Sequence, residues 1–213
     1  VLCRMLDNLS FSLSTDGSIN TMNANLNEFA QPTRYSWLTA FAGKYMNDWL
    51  TISASALATI INEDVKEGGS AGNHRKLTPY ISASFKPFYH EEFRIRFFYK
   101  DIFRLPSFND LYYQEVGNTK LRPENARQYN VGLTYSKNVC PFLPYLSATI
   151  DAYYNKVTDK IIAYPTKNLA VWSMRNLGEV EIKGIDATGS LSLQPWERIR
   201  INLSGNYTYQ QAL

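Results

Sequence analysis

The sequence contains few of the residues on which several classes of protein depend. It has two cysteines, too few for a disulfide scaffold, and two histidines, His74 and His90, that stand apart from other zinc ligands. No apolar run approaches the roughly 18 residues that a membrane-spanning helix needs. The formal net charge of +3 provides no strong basic field, so no nucleic-acid partner is expected. These absences exclude spanning helices, but they do not exclude a membrane.

Motifs of catalysis are also missing. No Gly-x-Ser-x-Gly sequence occurs, and the glycine-rich stretch 67–73 lacks the Gly-Lys-Ser/Thr of a phosphate-binding loop. We therefore predict that the chain is not an enzyme, has no metal site and needs no cofactor. No secretion leader is visible, and the sequence begins and ends within strand-like patterns, which favours a fragment of a larger protein.

Aromatic residues are abundant, at 14% of the sequence. Together with Thr, Ile and Ser they fill stretches in which apolar and polar residues alternate, the period of a strand with one apolar face. Helical spacing fits none of these stretches as well. The alternation predicts an all-β chain of about nine strands. They are centred on residues 9–13, 35–45, 50–60, 81–85, 93–99, 129–135, 146–154, 185–193 and 199–209.

The connections between these stretches alternate in length along the chain. Short turns are expected at 46–48, 89–92, 138–144 and 194–197. Long loops are expected at 16–32, 63–76, 106–124 and 157–178. This order is typical of an antiparallel up-and-down meander with all short turns at one end. Several strands also reach the roughly 9–11 residues with which a tilted strand crosses a bilayer.

Alternation alone does not distinguish a segment of a transmembrane β-barrel from a soluble β-sandwich, because both have one apolar and one polar face. Aromatic rings at the short turns favour the barrel, where they would form an interfacial girdle, although they would also cap a soluble core. The rings are Tyr45, Trp49, Phe88, Tyr89, Phe93, Phe142, Tyr145 and Trp196. The polar face would line the lumen of a barrel or be solvated in a sandwich. Its charged members are Lys44, Lys86, Arg94, Arg96, Lys100, Asp151, Arg198 and Arg200.

One part of the sequence resembles a known family. Residues 103–113 read FRLPSFNDLYY, and they are followed by Gly117-Asn118 and by LRPE at 121–124. Together these residues resemble the signature of TonB-dependent outer-membrane receptors, in particular the Bacteroides-type receptors that carry cobalamin or iron chelates. Further stretches similar to the family are 128–135, 151–161 and 176–186.

The resemblance implies a barrel of about 22 strands around an N-terminal plug, with a ligand at the extracellular mouth. Residues 1–213 would be a partial barrel domain, with the plug and the terminal strands absent. The implied location is the outer membrane of a Gram-negative bacterium. The implied partners are membrane lipid, the plug and the TonB complex of the full-length protein, and a small nutrient chelate. The implied function is TonB-coupled uptake of a cobalamin or iron–siderophore chelate; a passive porin or structural barrel and a soluble β-sandwich binding module are the alternatives.

We expect the family motif to be architectural rather than ligand-contacting. Pro106 lacks an amide hydrogen and should end a strand. Gly117-Asn118 suits a tight turn with positive φ, and Pro123 keeps the preceding residue extended before the next strand. The residues given this structural role are Phe103, Arg104, Pro106, Leu111, Tyr112, Gly117, Asn118, Leu121, Pro123, Glu124, Asn176, Gly178 and Gly184.

The long loops supply the candidate ligand contacts, since loops on a rigid barrel carry function. Exposed aromatic rings would stack on a planar ligand such as a corrin, and guanidinium groups would attract an anionic siderophore or a phosphate. The rings belong to Tyr112, Tyr113 and Trp172. The guanidinium groups belong to Arg104, Arg122 and Arg175. Alternatively, the rings pack the loops and the arginines are solvated.

Overall fold

The structure, a computed structural model, describes residues 2–89, 92–114, 116–166 and 172–213, with the backbone alone for residues 2–5. His90, and with it the middle of the expected turn at 89–92, lies outside the described residues. The strands are β1 (Leu2–Leu6), β2 (Leu9–Thr21), β3 (Thr33–Met46), β4 (Leu50–Asp64), β5 (His74–Phe85), β6 (Glu92–Arg104), β7 (Glu124–Lys137), β8 (Tyr145–Pro165), β9 (Trp172–Trp196) and β10 (Ile199–Ala212). A short helix, α1 (Phe108–Tyr112), precedes β7, and no helix in these ranges is long and apolar enough to cross a membrane.

The ten strands form one sheet in which each strand pairs antiparallel with its neighbours in the sequence. This order confirms the predicted up-and-down meander. The soluble-sandwich alternative is wrong, because a sandwich has two stacked sheets and the described strands make a single one. The sheet has one strand more than alternation indicated, since β1 has only five residues, too few to show a clear period.

One face of the sheet carries large apolar side chains that the described chain leaves uncovered. Trp37 and Phe41 are each 54% exposed and Val131 is 52% exposed, although these residue types are ordinarily well buried. Contiguous exposed patches of this extent are rare on soluble proteins, so the face favours contact with lipid. Its members run from β2 to β10: Leu13, Trp37, Phe41, Ile60, Leu77, Ile81, Phe97, Val131, Leu133, Ile150, Ile185, Leu203 and Tyr207.

The opposite face is polar, as predicted for a barrel lining. Arg96 on β6 reaches across β7 and forms a bidentate pair with Asp151 on β8, at 3.0 and 2.9 Å. Gly132 lies between them in register, and a Cβ atom at this position would collide with both side chains. Glycine is therefore the residue that lets these two charges meet over the sheet.

Strands β8 and β9 are longer than the sequence pattern indicates. They have 21 and 25 residues and stay paired as far as Pro165 and Trp172, so the predicted long loop at 157–178 is wrong for its described part. Cross-strand backbone hydrogen bonds hold this hairpin together even though the alternation is interrupted at Asp159, whose φ of 56° is left-handed. Four candidates therefore lie on β9 and not in a loop: Trp172, Arg175, Asn176 and Gly178.

The buried apolar residues of the described chain gather at the long-loop end. Leu111 and Tyr112 of α1 pack with Leu121 and with Ile161 of β8, and they are 2–8% exposed. Met174 of β9 packs against the same cluster. We take the long-loop end of the sheet as its upper end and call this region the rim assembly. It consists of residues 105–123, the upper ends of β3 and β4, and the upper part of the β8–β9 hairpin. The rest of the paired strands is called the wall.

Pairing between β5 and β6 stops before the rim. The last partners are Tyr80 and Lys100, although both strands continue beyond them. The next residue of β5 is Pro79, which lacks an amide hydrogen and is tolerated in a strand where that position faces no partner. Because Pro79 still pairs with Ala56 of β4, the missing hydrogen bond falls on the β6 side. A gap therefore opens between β5 and β6 above Tyr80.

Candidate functional site

Helix α1 begins the part of the rim assembly that carries the family motif. The Ser107 hydroxyl accepts a hydrogen bond from the Asp110 amide at 3.2 Å, and the Asp110 carboxylate accepts one from the Ser107 amide at 2.8 Å. This reciprocal capping box satisfies amides that a short helix leaves open. Pro106 is completely buried just before the cap, and β6 ends two residues earlier, as predicted. The Pro-Ser-x-x-Asp sequence therefore fixes where the chain leaves the wall.

Gly117 serves close packing instead of a positive φ. The glycines of positive φ among the described residues are Gly68 and Gly72, so the expected conformation of Gly117 is wrong. A Cβ atom on Gly117 would lie 2.7 Å from the Leu111 carbonyl oxygen and from the Tyr113 nitrogen. The Gly117 amide also donates to the Tyr113 carbonyl at 2.7 Å. Glycine is required here because the chain folds back directly onto the end of α1.

Two motif asparagines join the loop to β9. The Asn118 side chain donates to the Met174 carbonyl at 2.9 Å. Asn176 accepts from the Arg122 amide at 2.9 Å and donates to the carbonyls of Arg122 and Asp159, at 2.9 and 2.7 Å. One Asn176 side chain therefore satisfies backbone groups of two segments, including the left-handed residue Asp159. The two asparagines therefore fasten the loop to β9.

A buried carboxylate that sequence reasoning missed lies beneath α1. Glu63, at the end of β4, is 5% exposed and accepts hydrogen bonds from Arg34 at 2.7 Å and from the Tyr112 hydroxyl. The Tyr112 oxygen in turn accepts from the Ala71 amide at 3.1 Å. Burial and the hydrogen bond to Glu63 raise the pKa of Tyr112 to about 12. Three rim segments therefore meet at one carboxylate.

Two of the arginine candidates are engaged in ion pairs. Arg104 contacts Glu124 at 2.9 Å, and the same carboxylate accepts from the Ile161 amide at 2.5 Å. Arg122 contacts the Asp159 carboxylate at 2.9 Å through Nε. Their side chains are still 53% and 70% exposed. Each guanidinium therefore keeps donors available, but its position is set by the rim assembly.

The three aromatic candidates differ in exposure. Tyr112 is 7% exposed, so the expectation of an exposed ring is wrong for it, because its hydroxyl is drawn into the Glu63 network. Tyr113 and Trp172 are 58% and 48% exposed. Tyr164, which sequence reasoning did not single out, is 48% exposed, and the Arg175 guanidinium lies 5.0 Å from its ring centroid. Tyr164, Arg175 and Trp172 therefore form the exposed surface best suited to a planar or anionic ligand.

Below the rim, the inner face contains a hollow of about 810 Å³. It is lined by apolar residues near the gap, including Leu57, Ile61 and Phe103, and by Tyr80 and Lys100 lower down. Among the described residues, no three His, Cys, Asp or Glu side chains come together as metal ligands.

Comparison with known proteins adds to these observations. A family model described as "TonB dependent receptor-like, beta-barrel" matches residues 8–213. The chain is 34% identical over 84 residues to the vitamin B12 transporter BtuB of Vibrio vulnificus, an alignment of 39% of this chain and 13% of that protein. The corresponding protein of Photobacterium profundum is 31% identical over 94 residues, 42% of this chain and 14% of that one. The chain therefore spans about a seventh of the length of these relatives.

Two solved structures share the fold across almost the whole chain. The copper transporter OprC has a TM-score of 0.72 at 12% identity, covering 97% of this chain and 35% of that one. The FrpB iron transporter from Neisseria meningitidis (F5-1 variant) has a TM-score of 0.68 at 13% identity, with the same coverage. At such low identity these matches support the fold alone.

Proposed function

Because the chain belongs to the family of TonB-dependent receptor-like β-barrels, we propose that it forms part of an outer-membrane receptor for TonB-coupled uptake of a nutrient chelate. The cobalamin or iron–siderophore class is the proposed cargo. Relatives named as vitamin B12 transporters support the first, and the resemblance of residues 103–124 to receptors that carry iron chelates supports the second. The family consists of receptors and transporters, so the chain is not an enzyme.

The observation that carries this proposal is the combination of a two-faced wall with a locked rim. The wall turns apolar side chains such as Val131 outward and the Arg96–Asp151 pair inward, as a barrel in lipid requires. The rim assembly holds its loops in one arrangement through Glu63, Glu124 and Asn176. A fixed mouth on a lipid-facing wall is suited to selective capture, whereas a passive porin needs only an open channel.

Within the rim, we assign ligand contact to the exposed candidates and positioning to the others. Tyr113, Trp172 and Arg175 are accessible and are proposed to touch the ligand, Arg175 together with Tyr164. Donors left free on Arg104 and Arg122 would attract an anionic group. Tyr112 is proposed to act indirectly, by fixing α1. The plug and the TonB complex are proposed as partners of the full-length protein.

The decisive test measures uptake by cells that express the full-length receptor and lack their own cobalamin and siderophore receptors. Radiolabelled cyanocobalamin and radiolabelled ferric siderophores are supplied separately, with and without a working TonB. We expect accumulation of one ligand class that falls to background without TonB. Uptake that persists without TonB would support the passive porin, and uptake of neither class would reject the proposed cargo.

The proposed contacts are tested by replacing Tyr113 and Trp172 with alanine in the full-length receptor. Loss of two stacking surfaces should weaken ligand binding by about tenfold. Phe142→Ala with Trp196→Ala is the matched control, because it removes two exposed rings at the short-turn end. Unchanged affinity in the Tyr113/Trp172 variant, or an equal loss in the control, would contradict the assignment.

A further inference from the structure

The outward face of the wall ends at a row of charges. From the short turns upward, outward residues are mostly apolar, and each of four neighbouring strands then presents a charged side chain at one register level. We call these residues the outer charged band: Asp101, Arg127, Lys156 and Glu181. Its two cations, Arg127 and Lys156, are direct neighbours on β7 and β8. The band marks the height at which the wall leaves hydrocarbon.

A row of tyrosines lies just below the band. Tyr129 contacts Tyr99 and Tyr154 on either side, with ring centroids 5.0 and 6.2 Å apart. Amphipathic rings of this kind occupy the headgroup level of a membrane. Side chains one step above them on the same face therefore meet the polar groups of the lipid, and cations there are suited to anionic headgroups.

Part of the band forms a pocket of about 280 Å³. Its cations are Arg127 and Lys156 from the band and Lys76, which belongs to the polar face of β5 and lines the pocket at the gap between β5 and β6. The pocket exists because Pro79 ends the β5–β6 ladder below it. A closed ladder would fill this space with paired backbone.

The polar groups of the pocket favour an anion. Asp101, its one carboxylate, accepts a hydrogen bond from Tyr99 at 2.7 Å and lies 3.8 Å from Arg127. Lys156 is paired with Glu179 at 2.6 Å and lies 3.8 Å from Glu181, whereas Lys76 forms no ion pair within the described ranges. The side-chain oxygen of Asn125 is buried without a partner among those residues. Its NH₂ group donates to the Pro123 carbonyl at 3.3 Å, so this amide is not counted among the phosphate donors.

We infer that this pocket binds a phosphate group of an anionic lipid in the outer leaflet. Lys76, Arg127 and Lys156 would donate to the phosphate oxygens, and the acyl chains would lie along the tyrosine row and the apolar face beneath it. The pocket's place at the lipid boundary favours a lipid phosphate over free phosphate. The inference rests on the membrane placement proposed above, but it involves neither the rim contacts nor transport.

The test uses the full-length receptor, refolded into detergent so that it carries no lipid from cells. Diphosphoryl lipid A and its dephosphorylated form are titrated separately, and bound lipid is measured by native mass spectrometry. A triple variant carries Lys76→Ala, Arg127→Ala and Lys156→Ala. The control carries Lys44→Ala, Arg94→Ala and Arg200→Ala, which remove the same charge from the polar face. Heat-modifiable migration on gels verifies that each barrel is folded.

We expect the triple variant to bind diphosphoryl lipid A at least about tenfold more weakly, since each cation near a membrane surface contributes about fivefold. The control should stay within about twofold of the parent, and the dephosphorylated lipid should bind poorly to all three. Equal binding by parent and triple variant would overturn the inference. Displacement of the bound lipid by millimolar inorganic phosphate would also overturn it. So would loss of lipid binding by the parent when EDTA alone is added, because that would indicate a metal cation that bridges the lipid phosphate and the carboxylates. Normal uptake without lipid binding rejects this inference only; lipid binding without uptake rejects the proposed function only.

Discussion

The wall and the rim assembly are built on opposite principles within one chain. In the wall, Val131 is 52% exposed, and paired backbones hold the strands together. In the rim, Leu111 is 2% exposed and lies in a packed apolar cluster. The wall therefore needs an apolar surrounding, whereas the rim has the construction of a water-soluble protein. The comparison shows that the position of the apolar residues, more than their number, reveals the solvent of each region.

The two regions also treat charge differently. Arg96 and Asp151 in the wall lie on an open polar face, with side chains 38% and 21% exposed. Glu63 and Glu124 in the rim are buried to 5% and 8% exposure, and each accepts from two different residues. Buried carboxylates are tolerated when their acceptor sites are filled. Substitutions in the rim should therefore act through unpaired groups, and those in the wall through contact with lipid.

Replacing Glu63 with alanine should have the largest effect and should affect the rim alone. It leaves Arg34 buried without its partner and removes the acceptor of Tyr112, and breaking a buried pair costs about 3–5 kcal/mol. Amides of residues 105–123 in the full-length receptor should then exchange with deuterium at least about a hundredfold faster. Glu197→Ala, in an exposed turn, is the control. Faster exchange throughout the wall would contradict the separation of the two regions.

Replacing Val131 with arginine should destabilise the wall. A cation near the centre of the lipid-facing surface costs about 2–4 kcal/mol. Asn130→Arg is the matched control, because the adjacent residue faces the polar side and should tolerate the charge. The measurement is urea unfolding of the full-length receptor in phospholipid vesicles. Equal midpoints for the two variants would show that Val131 does not face lipid.

Raising the pH should loosen the rim before it affects the wall. Because the pKa of Tyr112 is raised to about 12 from its ordinary value of 10, the folded state prefers the protonated hydroxyl. The resulting stabilisation is complete below pH 10 and is lost as the pH rises through about 12. Hydrogen–deuterium exchange of the amides of residues 105–123, corrected for its intrinsic pH dependence, should reveal this loss of stability. The Tyr112→Phe variant should not show the loss. A pH dependence that survives in Tyr112→Phe would assign it to another group.

Removing the helix cap should have the smallest of these effects. Ser107→Ala deletes the hydroxyl that accepts from the Asp110 amide, and lost caps cost about 1 kcal/mol. Exchange of the α1 amides should accelerate about fivefold. Ser14→Ala, on the exposed part of β2, should leave α1 unchanged. Unaltered α1 exchange in Ser107→Ala would show that the rim holds the helix without its cap.

The wall was predictable from sequence because its side chains repeat every two residues and its strands pair in order. The β8–β9 hairpin was not, because its pairing continues past Asp159, where the alternation is interrupted. Hydrogen bonds between backbones leave no trace in residue types. The short strand β1 was missed for a related reason: five residues give too little pattern to recognise.

The rim was predictable in its residues but not in its contacts. The motif identified Gly117 and Asn118, yet the reason for Gly117 is backbone approach, which depends on where α1 ends. Tyr112 was expected to be exposed, because nothing in the sequence indicates that it contacts Glu63. The two residues are 49 positions apart in the chain. Glu63 is followed directly by Asp64, and an acidic pair at the end of a strand resembles ordinary solvated side chains. Only the fold brings Glu63 and Tyr112 together.

Pro79 determines the height to which the seam between β5 and β6 is closed. The β5–β6 seam closes up to Tyr80, level with the tyrosine row, and stays open above it. An open seam inside hydrocarbon would expose bare peptide groups to lipid, but above that level water hydrates them. The amide hydrogen that Pro79 lacks thus marks the level above which β5 and β6 are no longer joined to each other by cross-strand hydrogen bonds.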